Sequence, residues 1–218
     1  MYDKFTELLK KVKYNPANDK LILLGDYIDR GPHSKKVIEL VMDLVANGAV
    51  ALMGNHEDML IKAIEDADDC MLWLQNGGKS TLRSYRISGG YGSTPWYGLP
   101  KLIPQKHIEF LKGLPKWYET DEYVFVHAGL PFGCNHPKDA DEESLMWVRQ
   151  EWLINQNKGK TVIFGHTPTF TIVGHESSVP WFSSGKVGID TGAVFKDYGG
   201  KLTCLQLPAM VWQVWKGV

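Results

Sequence analysis

Four short apolar runs, each ending on a polar side chain able to hold a cation, constrain this chain more than any other feature. They are Leu21-Ile22-Leu23-Leu24-Gly25 before Asp26, Ala49-Val50-Ala51-Leu52-Met53-Gly54 before Asn55 and His56, Tyr123-Val124-Phe125-Val126 before His127, and Thr161-Val162-Ile163-Phe164-Gly165 before His166. Short apolar runs bounded by Gly or Asp read as buried strands. In open α/β sheets, chemistry collects outside the carboxyl ends of such strands. One carboxylate, one carboxamide and several imidazoles at strand ends form a donor set suited to Mn²⁺, Fe or Zn²⁺.

The organisation along the chain supports this reading. Phe5, Leu8, Leu9 and Val12 share one face of a helix expected over 3–13. A strand at 20–25 follows, then a helix carrying Val37, Ile38, Val41, Leu44 and Val45 with Ser34 as its N-cap, then a strand at 49–53. Strand, helix, strand with short joints is a βαβ unit, so the two strands are parallel and deliver Asp26 and Asn55 to one edge. A further helix is expected from Glu57 to about Asp68, and strands at 122–126, 161–164, 186–190 and 202–207. The fold class expected is α/β.

The 218 residues, 44% hydrophobic and 22% charged, suffice for one sizeable core, and no linker interrupts them, so 1–218 is read as one domain. The stretch 70–118, rich in Trp, Tyr, Gly and Pro, reads as an insertion covering the active-site face. A formal net charge of −1 gives no drive toward a nucleic acid polymer or an anionic membrane, so anions must be bound by local arginines and metal. Cys70, Cys134 and Cys204 are scattered and odd in number, which points to reduced thiols and a cytoplasmic location. No stretch approaches the ~18 apolar residues of a membrane span.

Taken together, Gly25-Asp26-Tyr27-Ile28-Asp29-Arg30-Gly31, Gly54-Asn55-His56-Glu57, His127-Ala128-Gly129 and Gly165-His166 resemble the calcineurin-like metallophosphoesterases, and more narrowly the bacterial branch of the phosphoprotein phosphatases. Trp73-Leu74-Gln75-Asn76-Gly77-Gly78 and Ile189-Asp190-Thr191-Gly192-Ala193 extend the match. The resemblance implies a sandwich of two mixed β-sheets flanked by helices. It implies two divalent ions, Mn²⁺ foremost with Fe or Zn²⁺ as alternatives, about 3.5–4 Å apart with a hydroxide between them that attacks phosphorus in line.

By the same resemblance Asp26 bridges the two ions, and Asn55, His127 and His166 complete the second. His56 is then the general acid for the leaving oxygen, and Asp29 holds its other ring nitrogen. Arg30 offers a planar fork to phosphate oxygens, and Trp147-Val148-Arg149 matches the segment that brings a second arginine. Asp190 reads as a turn residue, and His33, His107, His136 and His175 as structural or surface groups. Gly78-Lys79-Ser80-Thr81 mimics the tail of a phosphate-binding loop, but Trp73 stands where the opening glycine belongs.

One departure matters. The family's first motif, Asp-x-His-Gly on the first strand, is absent, and by spacing it would end just before Met1. The first strand and the remaining ligands of the first ion are therefore missing. A fragment or misassigned start, a natural loss that leaves a phosphate-binding scaffold, and replacement by other ligands are the three explanations. The function expected is hydrolysis of phosphomonoesters, first of protein phosphoserine and phosphothreonine. The alternatives are a dinucleoside polyphosphate hydrolase and an inactive scaffold. Trp73, Tyr85, Tyr91, Trp96 and Tyr97 are candidate base-stacking residues for the hydrolase, or the insertion's own core.

Overall fold

The computed structural model describes residues 1–87, 98, 100–154, 157–172 and 177–215. Helix α1 (Tyr2–Lys11) leads into β1 (Ile22–Leu23), α2 (Ser34–Ala46) and β2 (Val50–Ala51), and β1 and β2 pair in parallel as a βαβ unit requires. Helices α3 (Asn55–Glu65), α4 (Ala67–Trp73), α5 (Lys79–Ser84) and α6 (Gln105–Lys112) follow. Strands β3 (Trp117–Glu119), β4 (Tyr123–Val126), β5 (Thr161–Phe164), β6 (Trp181–Ser183) and β7 (Lys186–Gly188) form a five-stranded mixed sheet in the order β3-β4-β5-β7-β6. Between β4 and β5 lie α7 (Glu142–Trp147) and α8 (Gln150–Ile154), and an antiparallel hairpin of β8 (Leu202–Gln206) and β9 (Val211–Trp215) ends the described chain.

Alternation along the strands explains the layering, because successive side chains point to opposite faces. Ile22, Leu24, Val50 and Leu52 meet Phe125, Ile163, Val187 and Leu205 between the sheets. Leu23, Ala51 and Met53 point the other way, into a core with Ile38, Val41, Leu60, Trp73 and Leu111 from the helices. On the far face of the large sheet, Val124, Val126, Val162 and Phe164 pack against Leu145 and Trp152. The result is helices, a parallel strand pair beside the hairpin, a mixed sheet, and helices again: an α/β architecture whose central strands β4 and β5 are buried on both faces, while β6 and β9 are partly exposed.

Several local expectations need correction. The first two strands are two-residue ladders, shorter than 20–25 and 49–53, because the backbone turns away at Gly25. The second sheet, expected as a single mixed sheet, is that parallel pair with a separate antiparallel hairpin on the same side. Ser34 is the first helical residue of α2, not its cap; His33 occupies the cap position, and the Ser34 hydroxyl meets Thr81 Oγ1 at 3.1 Å. The helix expected to run to Asp68 breaks at Asp66, whose carboxylate caps α4 through the backbone N–H groups of Asp68 and Asp69. Strands β3, β6 and β9 were not expected; segments of three to five residues give little periodic signal.

Within 70–118, the described residues contribute Trp73, Leu74, Leu82, Ile103, Ile108 and Leu111 to the main helical core. Among the described residues no helix is long and apolar enough to cross a membrane.

Phe164 tests the far-side core. It is fully buried, meets the rings of Trp152 and Trp181 edge-on at 5.8 and 6.2 Å, and lies over Gly188. Phe164→Ala leaves a cavity these rings cannot fill and is expected to cost about 3–5 kcal/mol in urea unfolding.

Candidate active site

The carboxyl ends of β1, β2, β4 and β5 deliver four donors to one point. Asn55 Oδ1 lies 3.0 Å from both His127 Nε2 and His166 Nδ1, and those two nitrogens are 3.2 Å apart. Asp26 Oδ1 stands 3.5 Å from His127 Nε2. Asn55, His127 and His166 are buried, whereas the Asp26 side chain keeps 31% exposure and so faces incoming solute.

The protonation pattern tests whether a cation fits. His127 Nδ1 donates to the Leu24 carbonyl at 2.7 Å, which leaves Nε2 as a lone pair aimed at the other donors. Burial, then the neighbouring His127 and Arg149, push His166 down to about 3, so its ring is neutral. Its Nε2 is buried with no hydrogen-bond partner among the described residues, while Nδ1 faces Asn55 and His127. Lone pairs held about 3 Å apart repel; a shared cation satisfies them all, as one proton cannot. Among the described residues, Asp26, His127 and His166 are the one group of His, Cys, Asp and Glu close enough to share an ion. These donors could hold one cation, and among the described residues the group includes no further imidazole or carboxylate for a second.

Asp26 is held in place from behind. The buried Glu57 carboxylate accepts from four backbone N–H groups: Asp26 at 2.8 Å, Tyr27 at 2.7 Å, Ile28 at 3.3 Å and Gly54 at 3.0 Å. Those bonds hold Asp26 at φ +60°, a left-handed conformation a non-glycine residue adopts only at a cost of order 1–2 kcal/mol. Burial, then the Asp26 charge, push Glu57 up to about 7 despite these bonds. Desolvation also works against the Asp26 charge, but the imidazoles of His127, His56 and His166 together hold its carboxyl below the usual value.

A second buried group lies beside the first. His56 Nδ1 is 2.6 Å from Asp29 Oδ2. Burial disfavours the imidazolium, yet the Asp29 hydrogen bond and the Asp26 charge outweigh it and raise the His56 pKa. Asp29 is itself clamped. Trp73 Nε1 donates to its two oxygens at 3.2 and 3.0 Å, Thr81 Oγ1 donates to Oδ1 at 2.7 Å, and Thr81 Oγ1 accepts from the Asp29 N–H at 2.9 Å. Trp73 and Thr81 lie on either side of a π-helical turn, Leu74–Gly78, kinked at Gly77 with φ +120°. A Cβ at Gly77 would meet Arg30 Cγ at 2.9 Å, so only glycine lets this turn close on Arg30.

The two arginines are exposed and border the centre. The charges of Arg30 and Arg149 act on one another, and Asp190 and Asp26 act on Arg149. Arg149 donates to the His166 carbonyl at 3.2 Å. Asp190 makes the expected turn, its Oδ1 accepting from Gly192 N–H at 2.9 Å, but it also sits within electrostatic reach of Asp26 and His127. His107 is fully buried against the Tyr85 hydroxyl at 2.7 Å, and His136 pairs with Glu119 at 3.0 Å; His175 lies outside the described residues.

The family model for calcineurin-like phosphoesterases matches residues 1–170. The chain belongs to the calcineurin-like phosphoesterase family. The bis(5'-nucleosyl)-tetraphosphatase PrpE [asymmetrical] of Bacillus cereus (strain Q1) is 29% identical over 235 residues, covering 96% of this chain and 87% of the relative. A protein of the same name from Bacillus anthracis (strain CDC 684 / NRRL 3495) is 29% identical over 234 residues, covering 95% and 86%. Among solved structures, one provisionally described as a diadenosine tetraphosphatase superposes with a TM-score of 0.69 at 20% identity, over 99% of this chain and 88% of that one. A protein serine/threonine phosphatase from Saccharomyces cerevisiae superposes at 0.61 and 15% identity, over 100% and 76%. At these identities the two structures show the shared fold.

In this calcineurin-like phosphoesterase, the sequence gives no role to Glu57 or Thr81 and offers Trp73 only as a base-stacking or core residue, whereas the structure bonds Trp73 to Asp29. Glu57 and Trp73 stood inside quoted motifs, and Thr81 ended the phosphate-loop mimic. A buried acid directly after a ligand-bearing segment was the available signal for Glu57. No sequence signal placed Thr81, because the kink at Gly77 sets its direction.

Glu57→Gln keeps the shape but turns one acceptor oxygen into an N–H₂ facing backbone N–H groups. We expect at least ~2 kcal/mol of lost stability in urea unfolding, whereas Asp26→Asn, at the exposed side of the same turn, is expected to cost less.

Proposed function

We propose that this chain hydrolyses dinucleoside polyphosphates, using water, a divalent cation and the His56–Asp29 pair to break a phosphoanhydride bond. One observation carries the choice of substrate: the nearly end-to-end match to proteins named bis(5'-nucleosyl)-tetraphosphatase, over 96% of this chain and 87% of theirs. The phosphoserine and phosphothreonine reading draws on the same centre, but the yeast phosphatase supports it only by likeness of fold.

In this reading Asp26, Asn55, His127 and His166 hold the cation, with Mn²⁺ matching their mixed oxygen and imidazole set. Asp26 Oδ2 has no hydrogen-bond partner among the described residues, which makes Asp26 the group a second ion would share. Bound there, a divalent ion supplies positive charge that polarises the phosphoryl group and makes water a stronger acid. Arg30 and Arg149 bind the phosphoryl oxygens and orient the leaving group opposite the incoming water. Asp29 commits His56 Nδ1, so Nε2 is the nitrogen that gives a proton to the leaving oxygen. Trp73 and Thr81 keep Asp29 from rotating, which fixes the direction of that transfer. On this reading Trp73 and Thr81 bring the described part of 70–118 to the active-site face, in keeping with one domain over 1–218.

The test compares turnover of diadenosine tetraphosphate and a phosphoserine peptide with Mn²⁺. The dinucleotide is expected to be the better substrate, with turnover lost on chelation. His56→Ala should lower its rate roughly 10²–10⁴-fold. Preference for the phosphopeptide would return the phosphoprotein reading to first place. Turnover indifferent to His56→Ala would remove His56 as general acid.

A further inference from the structure

A dinucleoside polyphosphate presents a base at each end, and the described residues among the stacking partners offered by the sequence are engaged elsewhere. Trp73 is fully buried and bonded to Asp29, and Tyr85 is bonded to His107. Tyr91, Trp96 and Tyr97 lie outside the described residues.

A different set of rings borders the phosphate side. The Arg30 guanidinium carbon lies 6.0 Å from the Phe195 ring centre. Phe195 meets Phe170 edge-on, with centroids 5.6 Å apart at 78°, and Phe170 stacks on Tyr198 at 5.0 Å with only 4° between the planes. Tyr198 is 66% exposed, so the ring covered by Phe170 on one side faces solvent on the other. The open face of Tyr198 thus ends a continuous row of rings whose other end borders the Arg30 guanidinium.

The turn beneath is built to keep this row in place. Asp190 Oδ1 accepts from the Gly192 N–H, and the Asp190 carbonyl accepts from the Thr169 N–H at 2.8 Å, which ties the Phe170 segment to the Phe195 segment. Gly192 has φ +79°, and a Cβ there would come within 2.5 Å of Phe170 Cε1, so the ring can lie over it only because it is glycine. The Ile189-Asp190-Thr191-Gly192-Ala193 motif thus seats the row of rings. Positive charge accompanies it: Lys196 is exposed and adjacent to Phe195, and Lys4 reaches across from α1 to the Ala193 carbonyl at 3.2 Å. An aromatic face flanked by lysines and an arginine is the combination that holds a base and its phosphates together.

We propose that Phe195 and Tyr198, propped by Phe170, form the platform on which one nucleobase of a dinucleoside polyphosphate stacks, with Arg30 and Lys196 along its phosphate chain. This rests on the dinucleotide reading above. It places base recognition on the loop between β7 and β8, outside the cation centre. Because every base has a π face, the platform favours a base over none rather than one base over another.

The test measures the affinity of the full chain for diadenosine tetraphosphate and for inorganic tripolyphosphate by titration calorimetry, with Mn²⁺ turnover of the dinucleotide followed in parallel. The wild-type protein is expected to favour the dinucleotide. Tyr198→Ala should lower the ratio of the two affinities about tenfold, within the roughly five- to hundredfold range of one base–aromatic stack. Tyr198→Phe, which keeps the ring, should preserve the ratio. An unchanged ratio in Tyr198→Ala, or a wild-type protein that binds both ligands equally, overturns the platform. Base-dependent binding without turnover would sink the hydrolase reading and leave the platform standing, whereas turnover with an unchanged ratio would do the reverse.

Discussion

Two carboxylate oxygens, those of Glu57, hold four backbone N–H groups from two different segments: the turn after β1 and the entry to α3. Those segments carry Asp26 on one side and Asn55 and His56 on the other, so one buried side chain sets the distance between the solvent-facing carboxylate and the imidazole next to it. A charge buried this deeply is costly alone, and the concentrated N–H bonding offsets it. The same N–H groups would otherwise be buried donors without partners, since the strand ladder stops before them. The site and the fold therefore depend on one network, and neither can loosen without the other.

That dependence explains where the backbone is strained. Asp26, Asp29, Arg30 and His166 all have φ between +57° and +68°, and among the described residues they are four of the seven non-glycine residues with positive φ. Each is a conformation that costs of order 1–3 kcal/mol and persists only where the surroundings over-determine it. Glu57 does this for Asp26. Thr81 does it for Asp29 through its N–H, and the kinked turn at Gly77 for Arg30, whose N–H points at the Gly77 carbonyl at 3.5 Å. In each case a side chain is aimed at one point by a backbone that would relax without its neighbour. Such pre-set direction suits an electrostatic centre, where groups that need not reorganise contribute most to the transition state.

How much of this the sequence carried follows from the range of each interaction. Strand-end donors are readable because apolar run, glycine and donor are contiguous, and the structure brings Asn55, His127 and His166 within 3.2 Å of one another, with Asp26 3.5 Å from His127. The short strands β3, β6 and β9 were not readable, because their residues pair across distances that no local period encodes. The second layer around Asp29 was harder still. Trp73 and Thr81 are separated from Asp29 by 44 and 52 positions and by a helix kink, so their shared target is a property of the packed helices. A chemical cue misled as well: Gly78-Lys79-Ser80-Thr81 has the composition of an anion-binding loop, yet its threonine serves a carboxylate inside the protein.

The same division separates the buried donors from the row of rings. The candidate donors and the His56–Asp29 pair are fixed by buried bonds among β1, β4, β5, α3, α4 and α5, where a substitution disturbs several partners at once. The row from Phe195 to Tyr198 lies on a loop between β7 and β8, held by its own turn and open to solvent on its outer face. Sequence can vary there without moving the centre. Arg30 belongs to both regions, with its backbone clamped by Gly77 and its guanidinium beside Phe195. On the reading proposed above, a substrate held at that arginine would be positioned by the clamped turn at the phosphorus and by the separately braced row of rings beyond it.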